Sequence, residues 1–168
     1  SIFTTVYDVT RAIDPMRPII DSSGWTHADK TDIFDVHDYD QNPVTFAERY
    51  KPLITGEGDI YYCRNAAETY KGQPYFVSEF GGTHWDIDSD GTEGWGYGNA
   101  PKDIDEVYYR IEGFVTALLE NPKMCAFCYT QLTDVMQEKN GIYSYDRREK
   151  FDRERLYKIM TKKAAIEK

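Results

Sequence analysis

The stretch YFVSEFGG, Tyr75–Gly82, decides the fold. Tyr75, Phe76 and Val77 form a short apolar run of the kind that makes a strand covered on both faces. Ser78 and Glu79 follow, and after Phe80 the chain drops into the paired glycines Gly81 and Gly82. A carboxylate at the end of a buried strand loses hydration that only a hydrogen-bond partner or an opposite charge offsets. Glu79 is therefore expected to serve a purpose there, and the glycines let the backbone turn sharply beside it.

Working outward, the same pattern recurs. DIFDVHDYD, Asp32–Asp40, reads as a strand through Ile33, Phe34 and Val36 with a polar exit from His37 to Asp40. Before it, Val6, Val9 and Ile13 repeat at helical spacing, Pro15 and Pro18 end that helix, and RPIIDSSGW, Arg17–Trp25, reads as a further strand and loop. PVTFAERY and IYYCRNAAETY, 43–50 and 60–70, supply helical residues. After Gly82 comes a loop rich in Gly and Asp, from Thr83 to Pro101. Ile104, Val107, Tyr108, Ile111, Phe114, Val115, Leu118 and Leu119 then mark an amphipathic helix begun by Asp103, with Glu106 three residues on, and ended near Asn121–Pro122. MCAFCYTQLTD, Met124–Asp134, reads as a fourth strand, and Leu156, Ile159 and Met160 lie on a closing helix.

Strands alternating with helices predict right-handed crossovers and a parallel sheet, an α/β fold. Four such units fit an open doubly wound sheet or part of a (β/α)8 barrel. No glycine-rich nucleotide fingerprint follows any strand, which counts against the nucleotide-binding open sheet. What the units share is a polar, aromatic or acidic exit: Asp21 to Trp25, His37 to Asp40, Glu79 with His84 and Trp85, and Gln131 to Asp134. Sites are built at that edge in both architectures. A whole barrel takes about 250 residues; this chain has 168.

Composition excludes more than it proves. A formal charge of −9 argues against a nucleic-acid partner, since phosphate binding needs clustered Lys and Arg. No stretch approaches the roughly 18 apolar residues of a membrane span. Fourteen tyrosines and an aromatic share of 15% suit a protein that lays flat faces against sugars or bases, or one with a Tyr-rich core and surface. Cys63, Cys125 and Cys128 cannot all pair, so a reducing compartment, such as the cytoplasm, is mildly favoured. CAFC lies in a predicted strand, where positions three apart face opposite sides, so no metal or redox role is expected of it. DIDSDG, Asp86–Gly91, matches the first half of a calcium loop, but position twelve falls on Tyr97. No metal and no cofactor is expected.

Glu79 is the leading catalytic candidate, because a carboxylate at the mouth of an apolar sheet can attack an anomeric carbon or handle a proton. Retaining glycoside hydrolysis needs a second carboxyl group about 5–5.5 Å away. Asp21, Asp38 and Asp134 each end a predicted strand, and none stands out. Trp25, Trp85 and Trp95 all fall in loops after strands, where an indole stacks on sugar more readily than it fills a core.

YFVSEFGG and DIFDVHDYD, together with CAFCYTQLTDVMQEKNGIYSYDR, Cys125–Arg147, resemble glycoside hydrolase family 2, the β-galactosidase and β-glucuronidase group. The resemblance covers nearly the whole chain and implies the C-terminal half of the catalytic barrel, strands five to eight, without the first four. It implies that Glu79 is the nucleophile and that Tyr39 hydrogen-bonds it. Trp25, His37, Asp38, His84, Trp85 and Gln131 are the candidates for holding a carbohydrate substrate. The family's acid/base glutamate follows an asparagine at the end of the fourth strand; the chain contains no Asn-Glu pair and is expected to be a piece of something longer. Thr130 or Gln131 stands where the best-known members carry tryptophan, which alters the floor of the sugar pocket. The parent is thus expected to be a retaining β-glycosidase. A non-catalytic carbohydrate-binding module is the alternative, and a metal-dependent hydrolase built on His37, His84 and the acidic loop a more distant one. The piece alone, an open sheet with unpaired edges, is expected to be inactive and to self-associate. The eighth strand of one copy meeting the fifth of another would close eight strands.

Overall fold

A computed structural model describes residues 1–63, 70–88 and 94–167. The elements are α1 (Ile2–Ile13), β1 (Phe34–Asp38), α2 (Pro43–Arg49), α3 (Lys51–Thr55), β2 (Tyr75–Gly81), α4 (Ile104–Leu119), β3 (Met124–Thr130) and α5 (Arg153–Met160), followed by a 3-10 turn, Ala165–Glu167. Among the described residues the strands form one parallel sheet in the order β1-β2-β3. The strand expressed by YFVSEFGG is thus its centre.

One side of the sheet is packed by α2, α3 and α4. Phe34 and Val36 of β1, with Tyr75, Val77 and Phe80 of β2, meet Phe46 and Tyr50 and the α4 side chains Val107, Ile111, Phe114, Val115 and Leu118. Burial of each such side chain contributes about 1.5–3 kcal/mol, so this layer anchors the strands whose ends carry the candidate site. The α4 start follows the sequence signal: the Asp103 side chain accepts the Glu106 N–H at 2.8 Å, and the Glu106 carboxylate accepts the Lys102 N–H at 3.0 Å.

Two expectations need correction. The first predicted strand in the chain, within Arg17–Trp25, does not form. The outer carbonyls of β1 that it would pair with are occupied by side chains: His27 Nε2 lies 2.7 Å from the Asp35 oxygen, and the Cys63 thiol and Tyr61 hydroxyl donate to the His37 oxygen at 2.9 and 3.2 Å. Ile19 instead exchanges bonds with Asp32, its N–H donating to Oδ2 at 2.7 Å and its carbonyl accepting the Asp32 N–H at 2.9 Å. Among the described residues, the outer edge of β1 where that strand was expected to pair is therefore capped by side chains. Of the helix expected over 60–70, residues 60–63 are irregular and 64–69 lie outside the described residues. Finally, α1 forms as expected but buries none of its apolar stripe. Its polar side is what attaches it, through Tyr7 to Asp32 at 2.6 Å, Arg11 to Asp32 and Lys30 to Asp8 at 2.7 Å. Ile2, Val6, Val9 and Ile13 remain exposed.

β3 is the open edge. Cys125, Ala126 and Cys128 on it are exposed, and all three cysteines are free.

Candidate active site

Strand alternation places the site. In the β1–β2 pairing Val36 faces Val77, the register then shifts, and His37 comes opposite Glu79. Val36 and Val77 point into the helical layer, so His37 and Glu79 point to the other face. The bulge fits the extra residue, Ser78, whose hydroxyl turns to Asp35 Oδ2 at 2.5 Å. Glu79 thus stands at the C-terminal end of the central strand with its side chain 39% exposed, while that of His37 is only 4% exposed.

Two groups address one oxygen of this carboxylate. The Tyr39 hydroxyl donates to Glu79 Oε2, and His37 Nδ1 lies 3.3 Å from the same atom. Burial first, and then the Glu79 carboxylate it serves, hold the Tyr39 phenol far above its ordinary value, so it stays a proton donor. On the far side of the imidazole, the Ser23 hydroxyl lies 3.1 Å from His37 Nε2. Gly24 makes that approach possible: its φ is +50°, and a Cβ there would lie 2.0 Å from His37 Cδ2. Trp25 meets the His37 ring edge-on, with centroids 5.4 Å apart. The loop after Ile20 therefore wraps His37, and a buried pair pins the loop: His27 Nδ1 lies 2.7 Å from Asp21 Oδ1, and Ala28 N–H donates to the other Asp21 oxygen.

Of the sequence candidates, Trp25, His37, Tyr39 and Glu79 are brought together. Gln131 lies further along the rim, its amide donating to Asn140 Oδ1 at 2.9 Å, and the Asn140 amide lies beside Gly82. Three candidates are placed otherwise. Asp38 is on the opposite face of β1 from His37; its carboxylate, buried at 1% exposure, is taken by Arg49 and by the Tyr50 hydroxyl at 3.0 Å. Burial raises its pKa despite that arginine. Trp85 is half-buried and packs against the hydrophobic core, so it is not a free platform. His84 backs onto the extended 94–96 segment, where a Cβ on Gly96 would lie 2.6 Å from its backbone nitrogen.

The other two carboxylates weighed as second groups are also committed. Asp21 is held by His27 and Ala28, and Asp134 forms a buried pair with Lys150 at 2.8 Å while accepting the Gly141 N–H at 2.8 Å. In the acidic loop Asp88 is paired with Arg148, and 89–93 lie outside the described residues. No cluster of three or more His, Cys, Asp or Glu suited to a metal occurs among the described residues. No described helix is long and apolar enough to cross a membrane.

Sequence reasoning missed Ser23, Gly24 and above all Tyr97, whose ring stacks flat on Tyr39 with centroids 3.6 Å apart. The signal was the alternation WGYG, Trp95–Gly98. Gly96 and Gly98 admit the close approach of His84 and Gln41, and the Tyr97 N–H donates to the Gly82 carbonyl at 2.8 Å. That alternation brings a distant loop onto the site.

No protein-family model matches the chain, and no curated protein sequence does. Solved structures do, at the level of fold. A GH2 β-galacturonidase from Eisenbergiella tayi, bound to galacturonate, superposes with a TM-score of 0.63 at 15% identity over 94% of this chain and 29% of that one. A β-D-glucuronidase from Dictyoglomus thermophilum gives 0.59 at 18% identity over 89% and 26%. A Bifidobacterium dentium β-glucuronidase complexed with coumarin-3-O-glucuronide gives 0.61 at 13% identity over 94% and 26%. The chain thus shares the mixed α/β fold of a segment of these glycosidases, and it spans less than a third of their length.

Proposed function

We propose that this chain is the nucleophile-bearing segment of a retaining β-glycosidase of the family 2 kind, corresponding to strands five to eight of a (β/α)8 barrel, with three regular strands among the described residues. One observation carries the reading: Glu79, at the C-terminal end of the central parallel strand, has Oε2 held by the Tyr39 hydroxyl and faced by His37. The similarity of fold to glycosidases supports it.

With Oε2 held, Glu79 Oε1 is the oxygen presented to substrate. It attacks the anomeric carbon as the bond from that carbon to the glycosidic oxygen breaks, and the leaving oxygen takes a proton from the acid/base carboxyl. Water then gives its proton back to that group, attacks the same carbon and frees Glu79. Tyr39 steadies the carboxylate charge before and after each displacement. Because Asp21, Asp38 and Asp134 are committed to other partners, the acid/base is assigned to a strand supplied by the full-length polypeptide. The substrates in this reading are β-linked oligosaccharides or glycoconjugates.

Replacing Glu79 by Gln in the full-length protein tests the reading, since the amide keeps the shape and cannot act as nucleophile. Turnover of aryl β-glycosides falls by several orders of magnitude, with the melting behaviour retained. Activity within tenfold of wild type overturns the assignment, and sugar affinity without any turnover in the wild type points instead to a non-catalytic binding module.

A further inference from the structure

The His37 ring is fixed in place while one of its two nitrogens is left open. Its carbonyl accepts from the Cys63 thiol at 2.9 Å and from the Tyr61 hydroxyl at 3.2 Å, which holds the main chain. A Cβ at Gly24 would collide with the ring, Trp25 meets it edge-on, and the Ser23 hydroxyl lies 3.1 Å from Nε2. The other nitrogen, Nδ1, is buried and has no hydrogen-bond partner among the described residues; Glu79 Oε2 faces it at 3.3 Å without completing the bond. A buried polar atom left unpaired costs free energy that is recovered only when a partner closes on it.

The chemistry of imidazole decides how that gap closes. With its proton on Nε2, the ring would donate to Ser23 Oγ and turn the Nδ1 lone pair toward a carboxylate oxygen, which is repulsive. With the proton on Nδ1, the Ser23 hydroxyl donates to the bare Nε2 and an N–H points at Glu79 Oε2. Only the second arrangement is attractive at both ends of the ring. The Glu79 side chain, 39% exposed, has room to turn the short way needed, whereas the ring, 4% exposed, does not. Oε2 has lone pairs for two donors, and Tyr39 uses one. Bonds of this kind are often long in an unliganded site and tighten as the reaction proceeds.

The loop places the hydroxyl that makes this choice. Asp21, gripped by His27 Nδ1 and the Ala28 N–H, pins it, and within it the Trp25 N–H donates to the Ser23 carbonyl at 2.6 Å. We propose that Ser23 is a positioning residue: its hydroxyl donates to His37 Nε2, the imidazole thereby keeps its proton on Nδ1, and His37 becomes the second donor to Glu79 Oε2 beside Tyr39. His37 then serves the nucleophile and not the sugar. The proposal rests on the glycosidase reading of Glu79 and adds to it the residue that sets the ring's tautomer.

The test uses the full-length protein with isotopically labelled histidine ring nitrogens, studied by nitrogen NMR at about pH 8, above the ordinary histidine range. The His37 signals are those that disappear in His37→Gln, and their couplings to the ring C–H protons distinguish Nδ1 from Nε2. The wild type is expected to carry the proton on Nδ1, the form that free histidine disfavours, and Ser23→Ala to move it to Nε2. On the aryl β-glycoside that the wild type accepts, Ser23→Ala lowers kcat about tenfold with KM changed by no more than about twofold, and Ser23→Thr, which keeps the hydroxyl, restores most of the loss. A proton on Nε2 in the wild type, alone or together with one on Nδ1, overturns the proposal. So does an unchanged tautomer in Ser23→Ala, an equal loss in Ser23→Ala and Ser23→Thr, or a loss confined to KM. The tautomer is read without turnover, so an unaffected Glu79→Gln variant defeats the glycosidase reading separately.

Discussion

The Tyr97 ring lies flat on the Tyr39 ring, with centroids 3.6 Å apart and planes 9° apart, while the Tyr39 hydroxyl donates to Glu79 Oε2. A phenol clamped on one face and bonded at its tip has little rotational freedom, so the carboxylate it bonds is held in place. In the proposed glycosidase reading, preorganisation of this sort is where electrostatic catalysis draws its effect.

Tyr39→Phe in the full-length protein keeps the stacked ring and removes only the hydroxyl. The expected result is a nearly unchanged substrate dissociation constant and a slowing of about 10- to 1000-fold in formation or breakdown of the covalent intermediate, on the scale of one oxyanion donor. Pre-steady-state kinetics separates the two steps. Unchanged rates for both mean that the hydroxyl does not serve Glu79 in turnover.

The same hydroxyl has a signature in alkali. Its pKa is raised by burial and then by Glu79, as burial also raises those of Tyr50, Tyr61 and Tyr75. A folded-state pKa above the unfolded one gives stability that is fully present below the ordinary phenol value of about 10 and is lost as pH rises above it. Urea titrations at about pH 8 and pH 11 are expected to show a steep loss, smaller in Tyr39→Phe than in wild type. An equal loss in both contradicts the assignment of Tyr39 to that effect.

Lys150 and Asp134 form a pair 2.8 Å long with both side chains all but inaccessible. Burial lowers the lysine pKa and Asp134 opposes that shift, so the cation depends on its partner. Lys150→Met strands a buried carboxylate and is expected to cost about 3–5 kcal/mol. Chemical denaturation measures it, and adding Asp134→Asn recovers part of the loss. A cost of no more than about 1 kcal/mol, typical of a surface pair, contradicts the buried arrangement.

The 168-residue chain by itself is expected to self-associate through a second copy, because the apolar stripe Ile2, Val6, Val9 and Ile13 and the open strand β3 are both uncovered. The capped edge of β1 takes no part. Light scattering over a concentration series is expected to give masses rising above 19.5 kDa, and Val6→Lys with Val9→Lys to reduce them. A constant 19.5 kDa contradicts this.

Where side-chain pattern and structure share one period, the sequence was legible. The apolar spacing and cap of α4, the strands around Val36 and Val77, and Glu79 at a strand end all follow from residues within a few positions of one another. Arg17–Trp25 misled because its apolar content, Ile19 and Ile20, matches a short strand, while the fate of the β1 edge depends on His27, Tyr61 and Cys63, which no local pattern reveals. Asp38 misled for a related reason. It ends a strand as Glu79 does, but alternation turns it to the helical side, where Arg49 and Tyr50 wait. Tyr97 reaches the site from a loop whose path is set by contacts with Gly82, His84 and Gln41.

The central claim, that Glu79 is a covalent nucleophile, is tested most directly by trapping. The full-length protein is incubated with 2-deoxy-2-fluoro aryl β-glycosides matched to its accepted sugar, digested, and mapped by mass spectrometry. The account predicts one fluoroglycosyl unit per active site on the peptide containing YFVSEFGG, with fragmentation placing it on Glu79, and none in Glu79→Gln. Turnover of the parent glycoside accompanied by a label on any other residue, or by none, contradicts it.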